Sequence, residues 1–377
     1  MTYTPSLIPR RFVRTMAMHH LYAFHIRQQA TYHNALSEIE SAFQPDVFSP
    51  SPLNAQQLAG EKMAALQVFK DGVAEHRLVG VQAFPKSPEN NAVANKLWES
   101  YQNMLSQEVN VLKNGMQATL RDACNAYLLT LQLMVEWFMI AEKQVQESEQ
   151  LAIPITAPTA LAHNRILATW RNHPGFQDLL AERNVAWNKD IHVVVRWYNQ
   201  FIKHAAKLQH AHTNNGKRSD EEIVSIILHQ IIGGQDDIQQ YFENLYLHWE
   251  EIKCIVKSLW PQVDINSILA FFQQQETFTE PSIAFYTQLI ENTLTQDAAL
   301  ETLIQQYAKS WALERLVLVD RIILKIGLCE MQYLADTPGK VVISEYVYLA
   351  KKYSTAKSLA FVNGILDAVA KEHNFVT

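Results

Sequence analysis

Three arginines near the N-terminus are the residues whose type and spacing most directly indicate chemistry. Arg10, Arg11 and Arg14 fall in the first turns of a predicted helix, where the helix dipole favours acids. Local helix stability therefore does not account for them, whereas a bound anion would. A phosphate there would meet free backbone amides and guanidinium groups, and Tyr22 offers a ring for base stacking. A solvated basic surface is the alternative interpretation.

A second group of candidate contacts lies in the last predicted helix. Lys357 and Phe361 are four residues apart, so they share one helical face. Ser354 or Thr355 would cap this helix, and its apolar spacing predicts an inward stripe of Val362, Ile365, Leu366 and Val369. Gly364 costs about 1 kcal/mol relative to alanine inside a helix, which indicates the close approach of a neighbouring helix or a ligand, with helix packing preferred.

Motifs for catalysis or nucleotide binding do not occur in this sequence. No two glycines are separated by a single residue, so the Gly-x-Gly-x-x-Gly loop cannot form, and neither Gly216-Lys217 nor Gly339-Lys340 has the preceding glycine of a P-loop. Two groups of histidines are candidate metal ligands, namely His19, His20 and His25, and His204, His210 and His212. Neither group has regular zinc-ligand spacing. We expect no catalytic residue, cofactor or metal.

Charge is distributed unevenly along the chain. The net charge is −6, but residues 1–29 hold four arginines and no acid, and residues 320–377 carry +1, which leaves −11 for residues 30–319. The three cysteines are far apart and odd in number, so they indicate neither a disulfide framework nor a zinc knuckle and fit a reducing cytosol.

The elements that must position these residues are predicted to be helices throughout. Only 11 glycines and 13 prolines interrupt the 377 residues, so we predict an all-α fold. The first helix would turn Val13, Ala17, Leu21 and Phe24 inward, and a helix over 341–353 would turn Ile343, Val347 and Ala350 inward. The apolar stretch 126–141 is too short and too polar to span a bilayer and predicts a buried helix.

A repeat of 62 residues runs through the second half of the chain. Trp187, Trp249 and Trp311 are spaced by this period. Apolar residues align eleven, eight and seven positions earlier, namely Phe176, Ile238 and Leu300; Leu179, Tyr241 and Leu303; and Leu180, Phe242 and Ile304. These offsets share one helical face, and the tryptophans are most simply core residues. The repeat predicts three-helix units, with helices at His192–Ile202, Glu221–Ile232, Glu251–Trp260 and Ser282–Thr293.

Two parts of the chain resemble the NusB family. The string from Arg10 through Leu21-Tyr22 is similar to the family's arginine-rich first helix. In the C-terminal part, after Val319–Glu330, the string Lys340-Val-Val-Ile-Ser-Glu345 resembles the family's Lys-Val-x-Ile-Asn-Glu, and Phe361-Val-Asn-Gly-Ile-Leu-Asp367 resembles its most recognisable string. The resemblance covers 1–29 and 280–377. Between them we predict a helical insertion like that of Bacteroidetes-type members, with a first part at 30–159 and two tryptophan repeats, related to 280–340, at 160–279.

The resemblance implies a fold of two small helical bundles and a function in transcription antitermination. It implies binding of boxA-type single-stranded RNA of ribosomal RNA leaders, with ribosomal protein S10 and the transcription elongation complex as partners, in the cytoplasm and away from membranes. By resemblance, the RNA-binding residues are Arg10, Arg11, Arg14, Lys357 and Phe361, and the partner-binding residues are Tyr22 and Asp320. One departure is Ala356-Lys357, which stands where the family often has an acidic pair.

Two alternative functions follow from the same features. Some RNA cytosine methyltransferases carry a NusB-like domain, but such an enzyme needs a glycine-rich cofactor loop and a catalytic cysteine downstream, and this sequence has neither. The second alternative is a protein-interaction scaffold in which the tryptophan repeats bind protein and the RNA site has decayed. The retained arginines favour RNA binding over the scaffold.

Overall fold

Helices form nearly all of the computed structural model, which describes residues 8–43, 55–75, 92–209, 212–213, 216–217, 219–308, 316–334, 337–373 and 375. The predicted all-α fold is confirmed, because the only strands among these residues are the two-residue β1 (His212–Thr213) and β2 (Gly216–Lys217), paired antiparallel. The helices are α1 (Arg10–Ala42), α2 (Ala55–Glu75), α3 (Ala92–Lys113), α4 (Gly115–Gln150), α5 (Thr159–Ala162), α6 (Arg165–Asn172), α7 (Pro174–Glu182), α8 (Ile191–Trp197), α9 (Ala206–Gln209), α10 (Asp220–Ile226), α11 (Asp236–Leu245), α12 (Trp249–Leu259), α13 (Ile265–Gln273), α14 (Gln275–Thr295), α15 (Asp297–Tyr307), α16 (Leu318–Tyr333), α17 (Gly339–Tyr353) and α18 (Ala356–Glu372).

The chain forms two compact units. The terminal unit comprises Pro9–Met116 and Ser282–Thr377, and the central unit comprises Gln117–Pro281 with the residues up to Ile8. The described residues between 30 and 116 therefore share a unit with the start of α1 and with the C-terminal helices. The predicted boundaries at 29 and 279 mark where the sequence resemblance stops, and the one at 159 marks where the tryptophan repeats begin; all three stay predictions.

Helix α1 carries the buried stripe predicted for it. Val13, Ala17, Leu21 and Phe24 are all buried, and the helix begins directly after Pro9, where a missing N–H costs nothing. In its second half, α1 packs with α2 and α3 around a small core of Ala35, Ile39, Ala65, Phe69 and Tyr101. The first helix is therefore shared by the NusB-like part and the first part of the predicted insertion.

Buried Tyr286 of α14 ties α3 to this framework. Its hydroxyl donates to the carbonyl of Leu112 at 2.7 Å and lies 2.9 Å from Nδ1 of His20. An exposed pair, Lys113–Glu291 at 2.7 Å, lies on the same two helices, α3 and α14. A buried hydrogen bond fixes α3 more firmly than the exposed pair, because solvent screens the latter.

The last two helices confirm one predicted stripe and correct the other. In α18, Val362, Ile365, Leu366 and Val369 are buried, and the Ser358 amide donates to the capping hydroxyl of Thr355 at 3.2 Å. In α17, the prediction of Ile343 and Val347 as core residues is wrong, since both are half-buried. The residues fully buried there are Val342, Tyr346, Leu349 and Ala350. The inward face is rotated by one position and includes Tyr346, whose hydroxyl donates to buried Glu330.

The prediction that a neighbouring helix packs closely on Gly364 is also wrong. A Cβ placed on Gly364 would meet no described atom within 4 Å, and the residue is exposed. The close approach occurs at Gly327 in α16, where an added Cβ would lie 3.2 Å from both Leu366 and Tyr346. Gly327, at the crossing of α16 with α17 and α18, is thus the glycine that packing requires.

The first two copies of the predicted repeat lie in the central unit, and the described part of the third, with Leu300 and Ile304, lies in the terminal unit. Trp187 and Trp249 are buried, and Trp311 lies outside the described residues. The aligned positions eleven and seven residues earlier are all buried, namely Phe176, Ile238 and Leu300, and Leu180, Phe242 and Ile304. The predicted helices are confirmed: α8 continues into a π-helical turn that ends at Ile202, and α10 into one that ends at Ile232. Of the positions eight residues earlier, Leu179 is buried, whereas Tyr241 and Leu303 are half-buried. The Tyr241 hydroxyl donates to Asp190 at 2.9 Å.

Helix α4 contains the apolar stretch 126–141 that was predicted as a buried helix. Among the described helices it is the only one long and apolar enough to cross a membrane, but 72% of its most apolar 18-residue window is buried inside the protein. The Trp187 indole donates to the carbonyl of Leu129 at 3.0 Å. These contacts are those of a core helix.

A buried ion pair joins α1 to the C-terminal helices. Arg14 and Glu330 are 3% and 0% exposed, and the guanidinium donates through Nε and Nη2 to both carboxylate oxygens at 2.8 and 2.6 Å. The Tyr346 hydroxyl donates to Glu330 at 2.7 Å. Burial by itself lowers the pKa of Arg14, but the hydrogen bond and charge of Glu330 outweigh it, so the pKa is raised. Arg14 is therefore held as a buried cation.

A second buried cation lies between α15 and α16. Lys325 is buried and pairs with Asp297 and with Glu301, the latter at 2.8 Å.

His25 of α1 is also buried, and this burial lowers its pKa to about 4. The positive charges of Lys325 and Arg321 lower the pKa further, whereas the negative charge of Glu301 acts in the opposite direction. His25 is therefore neutral at pH 7.

We predict that Glu330→Gln lowers the free energy of unfolding by about 3 kcal/mol, because it leaves the Arg14 charge buried without its counter-charge. The matched control is Glu291→Gln, which removes the exposed Lys113 pair and should change stability by less than about 0.5 kcal/mol. Urea unfolding at pH 7 measures both. Equal changes in the two variants would contradict the prediction.

We predict that His25 makes the fold less stable as pH falls from about 6.5 towards 4. Its folded pKa of about 4 lies below the unfolded value of about 6.5, so the unfolded state binds the proton first. Between pH 8 and pH 5 the loss is about 2 kcal/mol. Urea unfolding across this range should show a shallower pH dependence for His25→Gln and an unchanged one for the variant of exposed His33, His33→Gln.

We predict that Gly364→Ala raises the free energy of unfolding by about 1 kcal/mol, because alanine favours the helix and the added methyl group has space. Gly327→Ala makes the same change in helix propensity but presses on Leu366 and Tyr346, so its gain should be smaller or reversed. Thermal and urea unfolding of the two variants give the comparison. Equal stabilisation by both would show that packing at Gly327 is not tight.

Candidate nucleic-acid interface

Arg10 lies at the surface of the terminal unit, at the first residue of α1. Its Nη1 donates to the Thr337 hydroxyl at 2.9 Å, and its guanidinium lies over the Phe285 ring, 5.0 Å from the centroid. Among the described residues no carboxylate forms an ion pair with Arg10. Because neither a hydroxyl nor an aromatic ring carries a negative charge that would compensate the guanidinium, Arg10 can attract an anionic ligand.

Arg11 lies beside Arg10 and contacts two residues of α17. Its Nε and Nη2 donate to the two carboxylate oxygens of Glu345 at 2.8 and 2.6 Å, and its Cζ lies 4.5 Å from the centroid of the Tyr348 ring. The hydrogen bond to Glu345 raises the pKa of Arg11 and lowers the pKa of Glu345. The side chain of Arg11 is still 51% exposed, so one part of the guanidinium can reach a ligand.

Arg14 is separated from the other two predicted arginines by burial. One turn of helix beyond Arg10, its side chain enters the interior, and its Nε and Nη2 donate to Glu330. Its Nη1 also lies 3.8 Å from Glu345. A phosphate could reach Arg14 only by displacing a buried carboxylate. The position therefore favours a positioning role, in which Arg14 fixes the carboxylate that holds Arg11.

The remaining predicted residues occupy different environments. Lys357 is exposed and Phe361 partly buried on α18, one turn apart as predicted. No described hydrogen bond or ion pair links Lys357 to the arginines of α1. Tyr22 is exposed, whereas Asp320 is buried in the first turn of α16, where its charge suits the helix dipole. Tyr22 is thus available to a partner and Asp320 is not.

Sequence reasoning missed the residues of α17 that complete this surface. Glu345 was part of a recognised string without a role, and Tyr348 was not singled out. Their spacing of three places them on one helical face, which is the signal that could have paired them. That this face meets Arg11 depends on how α17 packs against α1, and no local pattern reports that packing.

The C-terminal part of the chain is similar to proteins of one family. The NusB family model matches residues 262–371, so the α1 arginines lie outside that match. Relatives named transcription antitermination protein NusB include those of Thermodesulfovibrio yellowstonii, 46% identical over 24% of this chain and 59% of that protein, Streptomyces avermitilis, 42% identical over 28% and 74%, and Syntrophomonas wolfei, 34% identical over 30% and 84%.

The matches cover different shares of the relatives' length. The chain spans a little under three fifths of the length of the first two relatives, and no solved structure matches it. The Streptomyces and Syntrophomonas proteins, however, are both more than 30% identical and are matched over more than two thirds of their length. The resemblance read from the C-terminal strings is confirmed by these matches: the chain belongs to the NusB family.

Proposed function

We propose that this protein is a transcription antitermination factor that binds boxA-type single-stranded RNA of ribosomal RNA leaders together with ribosomal protein S10. The observation that carries the proposal is the similarity of residues 262–371 to proteins named transcription antitermination protein NusB. The exposed Arg10 and Arg11 on the adjoining first helix supply the charge that RNA binding needs. The proposal involves no catalytic step and no cofactor.

RNA binding in this proposal begins with phosphate contacts. Arg10, which has no carboxylate partner among the described residues, neutralises a phosphate and fixes the position of the strand, and the exposed part of Arg11 contacts the strand beside it. Lys357 adds a further cation, and Phe361 a ring against which a base can stack. Buried Arg14 acts indirectly, by holding the carboxylates of Glu330 and Glu345 in place.

Protein partners complete the proposed complex. Exposed Tyr22 is the residue we assign to S10, whereas Asp320 is buried and is not assigned a contact with S10. Assembly with the elongation complex would take place in the cytoplasm, without a membrane. The alternative, a protein-interaction scaffold with an inactive RNA site, predicts no dependence on the α1 arginines.

We predict that Arg10→Ala/Arg11→Ala weakens binding of a boxA-like single-stranded RNA at least tenfold and reduces the slope of log affinity against log salt by about one, because the phosphate contact of Arg10 is lost. Fluorescence anisotropy at several salt concentrations, with and without S10, measures both effects. The control, Arg165→Ala/Arg196→Ala, removes the same charge from exposed positions of the central unit.

Either outcome of this titration is informative. Binding by the wild type that strengthens with S10 and weakens only in the α1 variant supports the antitermination proposal. If the folded wild type does not bind at low salt, or if the two double variants weaken binding equally, the proposed RNA site is wrong and the scaffold alternative gains support.

A further inference from the structure

The contact between Arg11 and Tyr348 gives the proposed RNA surface a feature that phosphate binding does not explain. Tyr348 is 39% exposed on α17, and the Arg11 guanidinium lies over its ring, 4.5 Å from the centroid. An exposed aromatic ring covered by a planar cation is a surface on which a nucleobase can stack, because bases stack both on aromatic rings and on guanidinium planes.

The guanidinium of Arg11 is fixed before any ligand binds. Glu345, three residues before Tyr348, accepts two of its hydrogen bonds, and Glu345 itself is only 14% exposed and lies 3.8 Å from Arg14. Long side chains usually lose conformational entropy when a ligand orders them. Here the chain of contacts from Arg14 through Glu345 has already ordered Arg11, so little of that loss remains on binding.

The local charge balance also favours a base over a second phosphate. The positive charges of Arg11 and Arg14 are paired with the carboxylates of Glu345 and Glu330, so these four side chains together carry little net charge. A phosphate close to Glu345 would meet its negative charge, whereas an uncharged base on the face of the guanidinium would not. Arg10, with no described carboxylate partner, supplies the stronger attraction for a neighbouring phosphate.

We infer that Arg11 and Tyr348 together form a platform on which one base of a single-stranded RNA stacks, with Glu345 as the residue that positions it. This inference rests on the proposed function, since it assumes that RNA binds this surface. Exposed Lys351 and Lys352, at the end of the same helix, would lie along the strand and neutralise its flanking phosphates.

The experiment couples a change in the protein to a change in the RNA. Affinities of the wild type, Tyr348→Leu and Tyr348→Phe are measured by fluorescence anisotropy, at one salt concentration, for a boxA-like RNA and for a series with an abasic site at each position in turn. Thermal unfolding confirms that the variants are folded. Leucine keeps an apolar side chain of similar reach without a ring, and phenylalanine keeps the ring.

We expect Tyr348→Leu to weaken binding about tenfold and Tyr348→Phe to bind like the wild type. At one position, the abasic site should lower the affinity of the wild type about tenfold relative to the intact RNA. The same abasic site should lower the affinity of Tyr348→Leu only slightly. If Tyr348→Leu binds the intact RNA as tightly as the wild type, or binds every RNA of the series more weakly by the same factor, the inferred platform is wrong, although the RNA-binding proposal is unaffected. Absence of wild-type binding to any RNA overturns the proposed function and the platform together.

Discussion

A charge buried where three helices meet must be paired, and in the terminal unit Arg14 and Glu330 satisfy that requirement for each other. The pair comes from opposite ends of the sequence, 316 residues apart, and Tyr346 adds a hydrogen bond from a third helix. Because an unpaired buried charge costs several kcal/mol, the contact strongly disfavours arrangements in which α1, α16 and α17 do not come together. The packing of Gly327 against Leu366 and Tyr346 then fixes how closely α16 approaches α17 and α18.

The same buried pair connects the interior with the surface we propose for RNA. Arg14 lies close to Glu345, Glu345 holds Arg11, and Arg11 covers Tyr348. A surface of exposed arginines alone would be mobile and would lose entropy when it bound a strand. Here buried Arg14 helps to order exposed Arg11 through Glu345. Arg14 therefore has a structural role, and Arg11 is the one placed to contact RNA. This division also explains why cations are found in helical turns where the helix dipole disfavours them.

Helices α2 and α3 belong to the same compact unit as α1 and the C-terminal helices and share a core with α1. Helix α1 runs from the arginines to the core it forms with α2 and α3, and Tyr286 binds the end of α3 through its hydroxyl. In the central unit the tryptophans of the 62-residue repeat are buried, and their indoles are hydrogen-bonded, Trp187 to Leu129 and Trp249 to Gln239. The tryptophans of the repeat in this unit are therefore core residues.

The sequence by itself determined the helical class, the buried stripes of α1 and α18, the repeat and the family, because these follow from local periodicity and from contiguous strings. It could not determine which of Arg10, Arg11 and Arg14 is buried, since that depends on a glutamate 316 residues away. For the same reason it misplaced the inward face of α17 and the close approach at Gly364, where the deciding contacts are between helices. Periodicity reports that a face is buried, whereas the partner of a charged group is decided only when distant helices pack.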